Sequence, residues 1–209
     1  EELKINLLKK NLNFIPMTNA GCDFIKRDET VSKTNVCNNK IYKLRKNKIL
    51  KSKTGIIVIH LNYKKKLSKL EKKIFLKEIN NFLKLGYKII FIYPIPHLEQ
   101  SVSIKIDEIF KTSNDNLKNY LNNYDNYISI DYSKFKKDAV DIFKLLSSIN
   151  HENLHSIYPH NIFCNNNNKN KCIGHSKNDI FYIDGSHLSK AGSNLINKEL
   201  LKIINKIYK

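Results

Sequence analysis

Phe181-Tyr182-Ile183-Asp184-Gly185-Ser186-His187-Leu188-Ser189 is the stretch on which the reading of the chain turns. Ile180 to Ile183 is an apolar run long enough for a short buried strand. A carboxylate and an imidazole follow at once, three residues apart. Ser189 is then placed to cap a helix whose apolar stripe is Leu195, Ile196, Leu200, Ile203, Ile204 and Ile207. In open α/β sheets, ligands bind outside the carboxyl ends of strands, where this order puts Asp184 and His187. A carboxylate there can hold one ring nitrogen and leave the other free to take a proton from a nucleophile. The same D-x-x-H spacing is common in exposed turns, so spacing alone does not decide for catalysis.

Upstream, apolar runs and amphipathic stretches alternate. Leu3, Leu7 and Leu8 have helical spacing, and Asn13 to Met17 reads as a short strand. A polar loop fills 18–40, followed by a basic helix over Ile41 to Lys51. Ile56 to Ile59 is β-branched throughout and reads as a buried strand ending at His60-Leu61-Asn62. Leu67 to Leu85 is an amphipathic helix stopped by Gly86, and Lys88 to Tyr93 is a second buried strand. A helix over 104–122, a strand over Tyr127 to Ile130 and a helix over Ser133 to Ile149 come next. Leu154 to Tyr158 is a small strand or extended connection, and Asn165 to Lys171 is an Asn/Lys-rich loop tip. Alternating strands and helices imply parallel pairing and a three-layer α/β/α sandwich of flavodoxin type. No repeat or linker divides it, so residues 1–209 read as a single domain.

A chain of 209 residues with 41% hydrophobic content is long enough to bury a core. No apolar run approaches a membrane span, and the first residues form a polar, helix-like segment with no signal peptide. The net charge of +18 invites a nucleic-acid reading, but of the 37 basic residues only Arg27 and Arg45 are arginine. Base readout and bidentate phosphate grips favour arginine. The lysines are spread over every segment, so no specific nucleic-acid partner is expected. Attraction to anionic lipid or polysaccharide is equally compatible with the charge.

The four cysteines form two local pairs, Cys22 with Cys37 and Cys164 with Cys172, each bracketing a loop without periodicity. Such pairing favours disulfides and an oxidising compartment. A metal site is the rival reading, since His151, His155, His160 and His175 crowd the second pair. The cysteine spacing is nevertheless wider than in zinc knuckles.

Asp184, His187, Leu188, Ser189 and Gly192 reproduce D-x-x-H-L-S-x-x-G. That block resembles the last motif of SGNH-type serine esterases. It is most similar to the SGNH domain fused to membrane acyltransferases that O-acylate surface glycans. The resemblance implies a catalytic Asp184–His187 pair, no metal and no organic cofactor. It also agrees with a cysteine pair shortly before the motif. Gly21 falls roughly where the family places a glycine oxyanion donor, and Asn62 near the position of its asparagine donor. A loop glycine and a strand-end turn residue are the plainer accounts of these two.

One departure is large. The family's nucleophile lies in a Gly-Asp-Ser block at the end of its first strand, and no such block occurs here. Ser186 is too close to His187 in sequence to reach it usefully, and Ser101, Ser103 and Ser133 sit in ordinary turns. The sequence is therefore expected to be a truncated domain lacking the first strand of its sheet and inactive without the upstream serine. Its sheet edges near Asn13–Met17 and Ile56–Ile59 would then be left exposed or would collapse together. The implied function is O-acyl transfer to a cell-surface polysaccharide through an acyl-serine. The implied partners are an acyl donor, a surface glycan and an upstream membrane acyltransferase domain, and the implied location is extracytoplasmic and membrane-tethered. The alternatives are a stand-alone carbohydrate esterase and a catalytically dead glycan-binding domain.

Overall fold

In the computed structural model the apolar runs at 56–60 and 88–92 pair as parallel strands, from Ile56 opposite Lys88 to His60 opposite Ile92. The structure describes residues 2–17, 24, 39–52, 54–64, 66–112, 117–123, 128–164 and 170–208. Its first elements are α1 (Glu2–Leu8), α2 (Asn39–Lys51), β1 (Ile56–His60), α3 (Lys69–Lys84), β2 (Lys88–Ile92), α4 (Val102–Thr112) and α5 (Leu117–Asn123). Then come β3 (Ser129–Asp131), α6 (Tyr132–Ser147), β4 (Leu154–Ile157), α7 (Pro159–Phe163), β5 (Lys171–Ile173) and α8 (Lys190–Ile207). Two compact units are assembled from separated segments: Glu1–Ile92 with Ile142–Ser156, and Tyr93–Asp141 with Ile157–Lys209.

The first unit is built on the sheet β1-β2-β4. Central β2 has both faces covered, and Ile89, Ile90 and Phe91 are fully buried. Its Ile89 N–H donates to Asn153 O at 2.9 Å. Helix α3 starts on a reciprocal capping box, in which Ser68 Oγ accepts the Glu71 N–H and Glu71 returns a carboxylate to the Ser68 N–H. It stops where Gly86 takes φ +84°, a left-handed turn that a side chain would strain. Phe75, Ile79, Phe82 and Leu83 form its buried stripe.

In the second unit β3 and β5 pair antiparallel, from Ser129 opposite Ile173 to Asp131 opposite Lys171. Asp131 caps α6, its Oδ1 accepting the Lys134 N–H at 2.9 Å. The Ser133 hydroxyl donates to the same oxygen. A disulfide joins Cys164 to Cys172 on β5.

The α/β class and the parallel pairing of the main runs are as expected, with several corrections. Residues 13–17 form no strand: Pro16 lacks an N–H, and Phe14 and Ile15 lie substantially exposed. The exposed edge expected near Ile56–Ile59 is present among the described residues, where β1 ends the sheet order and Val58 is 41% exposed while Ile59 is buried. Strand β3 joins an antiparallel pair outside the parallel sheet. The stretch 104–122 holds parts of two helices, α4 and α5. Residues 180–183 carry only isolated bridges, His175 with Ile180 and Tyr182 with Leu188, because their carbonyls serve the start of α8. Among the described residues no helix is long and apolar enough to cross a membrane.

The contrast between central and edge strands is measurable. Phe91→Ala should cost about 3–5 kcal/mol in urea unfolding, whereas Val58→Ala should cost about 1 kcal/mol or less.

Candidate active site

The loop from Tyr182 to Leu188 is closed by its own backbone. Tyr182 bridges Leu188, and the Ile183 N–H donates to His187 O at 2.8 Å. Inside, Asp184 Oδ1 accepts the Ser186 N–H at 2.6 Å and the His187 N–H at 2.8 Å. This is the side-chain turn that a short carboxylate favours, and it fixes both residues against each other. The second oxygen, Oδ2, lies 2.7 Å from His187 Nδ1.

The hydrogen-bonded N–H groups decide the ionisation. The backbone N–H of His187, then that of Ser186, then the His187 ring hold the Asp184 carboxyl far below the usual carboxylate range. An ionised carboxylate only accepts, so Nδ1 carries the proton facing Oδ2. Nε2 of the neutral ring is then the basic nitrogen, and no hydrogen bond among the described residues occupies it. The His187 side chain is 77% exposed, so a substrate or nucleophile can approach. Ser186 Oγ sits 3.3 Å from Nδ1 and donates to Asp184 Oδ1 at 3.2 Å. It faces the protonated nitrogen and cannot be activated by the ring from there.

The loop is seated by contacts that the motif's letters do not explain on their face. Leu98 N–H donates to Gly185 O at 2.7 Å, and the Tyr182 hydroxyl donates to Pro96 O at 2.8 Å. The Ser189 N–H donates to Phe181 O at 2.9 Å, and Ser189 Oγ donates to Ile180 O at 2.6 Å. The same hydroxyl accepts the Gly192 N–H and so caps α8. Gly192 lies so close to the preceding strand-like segment that a Cβ would fall 2.2 Å from Phe181 O. The glycine is needed for close approach, with no special φ required.

Gly21, Cys22 and Cys37 lie outside the described residues. Asn62 belongs to the first unit, where its Oδ1 accepts the Lys64 N–H at 2.9 Å, while Asp184 and His187 belong to the second. Ser101 and Ser103 hydroxyls bond each other at 2.8 Å. Among the described residues no group of three or more His, Cys, Asp or Glu side chains is arranged to hold a metal.

The family model "SGNH domain (fused to AT3 domains)" matches residues 3–202. The chain belongs to this family. A solved structure of the Salmonella ser. Paratyphi A lipopolysaccharide acetyltransferase periplasmic domain is similar in fold, with TM-score 0.55 and 18% sequence identity. The similarity covers 99% of this chain and 77% of that one. No curated protein sequence matches. For this SGNH domain, the Leu98–Gly185 and Tyr182–Pro96 contacts were not visible in the sequence, since they join residues far apart in the chain. The only hint was the pair of glycines within and after the motif.

Two outcomes check the construction of the loop. Gly192→Ala should lower unfolding stability by at least about 2 kcal/mol, because backbone must move to admit the methyl group. The stabilising effect of Asp184 should be complete above the ordinary carboxyl pKa of about 3.9 and lost as pH falls through its depressed folded value. The difference in urea midpoint between the wild type and Asp184→Asn should therefore be largest near neutral pH and shrink on acidification.

Proposed function

We propose that this domain handles the acyl group in O-acylation of a cell-surface glycan, with His187 as general base and Asp184 as the residue that orients it. The observation carrying the reading is the Asp184 Oδ2–His187 Nδ1 contact of 2.7 Å, which leaves Nε2 open on an exposed ring. Family membership over residues 3–202 supports the reaction class and an acyltransferase domain as covalent partner. The Cys164–Cys172 disulfide supports an extracytoplasmic location, because such bonds persist in oxidising compartments.

In the proposed reaction a serine hydroxyl from outside the described residues attacks the carbonyl carbon of an acyl donor. Nε2 takes the hydroxyl proton, while Asp184 holds Nδ1–H and stabilises the imidazolium that results. Collapse of the tetrahedral intermediate expels the donor's leaving group, which receives that proton, and leaves an acyl-serine. A glycan hydroxyl then attacks the ester carbonyl and gives its proton to Nε2. The second collapse releases the O-acylated glycan and returns the proton to serine. Each acyl group forms one bond and breaks one at each stage, and no metal or organic cofactor enters.

The test is acylation of the surface polysaccharide by the intact protein. His187→Ala should reduce it by about four orders of magnitude and Asp184→Asn by about two to four. Mass spectrometry should find the acyl group on a serine in the wild type. Full acylation by His187→Ala would remove this reading.

A further inference from the structure

Four aromatic rings gather in the second unit, away from the carboxylate–imidazole pair in sequence. Tyr158 rests against Tyr93 with ring centroids 4.5 Å apart. His160 meets Tyr158 edge-on at 5.7 Å and lies nearly parallel to Tyr132 at 6.2 Å. Lys136 Nζ stands 4.5 Å from the centre of the Tyr132 ring. Tyr93 is buried and supports the cluster, whereas Tyr158 is 39% exposed. Pro159 follows Tyr158 at the start of α7 and restricts its backbone, so the exposed ring is held on a stiff mount.

The cluster offers what a pyranose ring requires. The electron-rich faces of tyrosine attract the C–H bonds of the sugar's apolar face. The hydroxyls of Tyr132 and Tyr158 make no hydrogen bond among the described residues, so both are available to sugar hydroxyls. His160 is half-buried with Nδ1 shut off from solvent, so its ring backs the two tyrosines, and burial, then the Lys136 charge, lowers its pKa. Lys136 supplies a cation at the edge.

The cluster is also tied to the candidate active site within the same unit. Leu98 is hydrogen-bonded to Gly185 of the catalytic loop, and the next residue, Glu99, pairs with Lys134 at 2.8 Å. Lys134 lies in the first turn of α6, which opens with Tyr132. We infer that Tyr158 and Tyr132, backed by the His160 ring and with Lys136 at the rim, form a saccharide-binding subsite for the glycan acceptor. This assignment rests on the glycan O-acylation reading for its biological purpose, but its test does not.

Titration calorimetry of the 209-residue chain with maltohexaose and with a hexamer of galacturonic acid provides that test. At least one should bind at millimolar concentration or tighter. Tyr158→Ala should weaken that binding about tenfold, the value of one lost aromatic stacking contact, while Tyr158→Phe should stay within about threefold. Far-UV circular dichroism checks that Tyr158→Ala is folded; if it is not, Tyr132→Leu is titrated in its place with the same expectation. Failure of both saccharides to bind would overturn the subsite, as would wild-type affinity in the folded ring variant. Binding only of the acidic hexamer, abolished by salt and indifferent to Tyr158, would show diffuse lysine attraction and overturn it as well. No acyl donor is present in these titrations, so their failure leaves the role of His187 standing. Conversely, full acylation by His187→Ala would leave a saccharide subsite without that chemistry.

Discussion

The approach of α8 to the backbone of Phe181 is the constraint on which the candidate site depends. Phe181 O receives the Ser189 N–H, and only the bare α-carbon of Gly192 allows the helix to come so near. Phe181 and Tyr182 also pack against Phe163, with ring centroids 5.8 and 5.9 Å away. Between Tyr182 and Leu188, which bridge each other, the chain folds back on itself. The resulting loop turns its polar residues outward and leaves the Ile183 side chain largely exposed. Local capping chemistry and close packing thus set the position of two side chains that make no demand on the core themselves.

The pair gains its order from hydrogen bonds rather than from burial. Asp184 is nearly half exposed, yet each of its oxygens has a defined task. One gathers the N–H groups of the turn, and the other aligns the imidazole. An exposed pair of this kind carries little desolvation cost, and its geometry is stiff because the carboxylate is anchored to the backbone it belongs to. The ring can therefore meet a hydroxyl brought from elsewhere without first being pulled from a pocket.

Much of this was legible in the sequence because it is local. Ser189 as a helix cap, the stripe of α8, the amphipathic α3 with its glycine stop, and the neighbouring acid and histidine all lie within a few residues of what determines them. The misreadings have a common origin in longer-range geometry. Ile180 to Ile183 is apolar because Phe181 and Tyr182 are buried, and apolar content does not reveal that the carbonyls are engaged by α8. Strand β5 was hidden in an Asn/Lys-rich stretch because Cys172 is its single buried residue. The oxyanion donors were assigned by family analogy alone; Gly21 lies outside the described residues, and Asn62 Oδ1 accepts the Lys64 N–H.

The interleaved segments of the two units have a consequence for biosynthesis. The first unit takes in residues 1–92, yet its contacts are complete only when Ile142–Ser156 have been added, and β4 is the third strand of its sheet. A nascent chain emerging amino end first must therefore carry β1 and β2 unfinished while α4, α5 and most of α6 are synthesised. During that interval the apolar edge of β2 awaits a partner encoded some way downstream. Long-range closure of this kind slows folding and lengthens exposure to mispairing. Translocation followed by folding of the finished chain avoids the exposed intermediate, because every segment is then available at once.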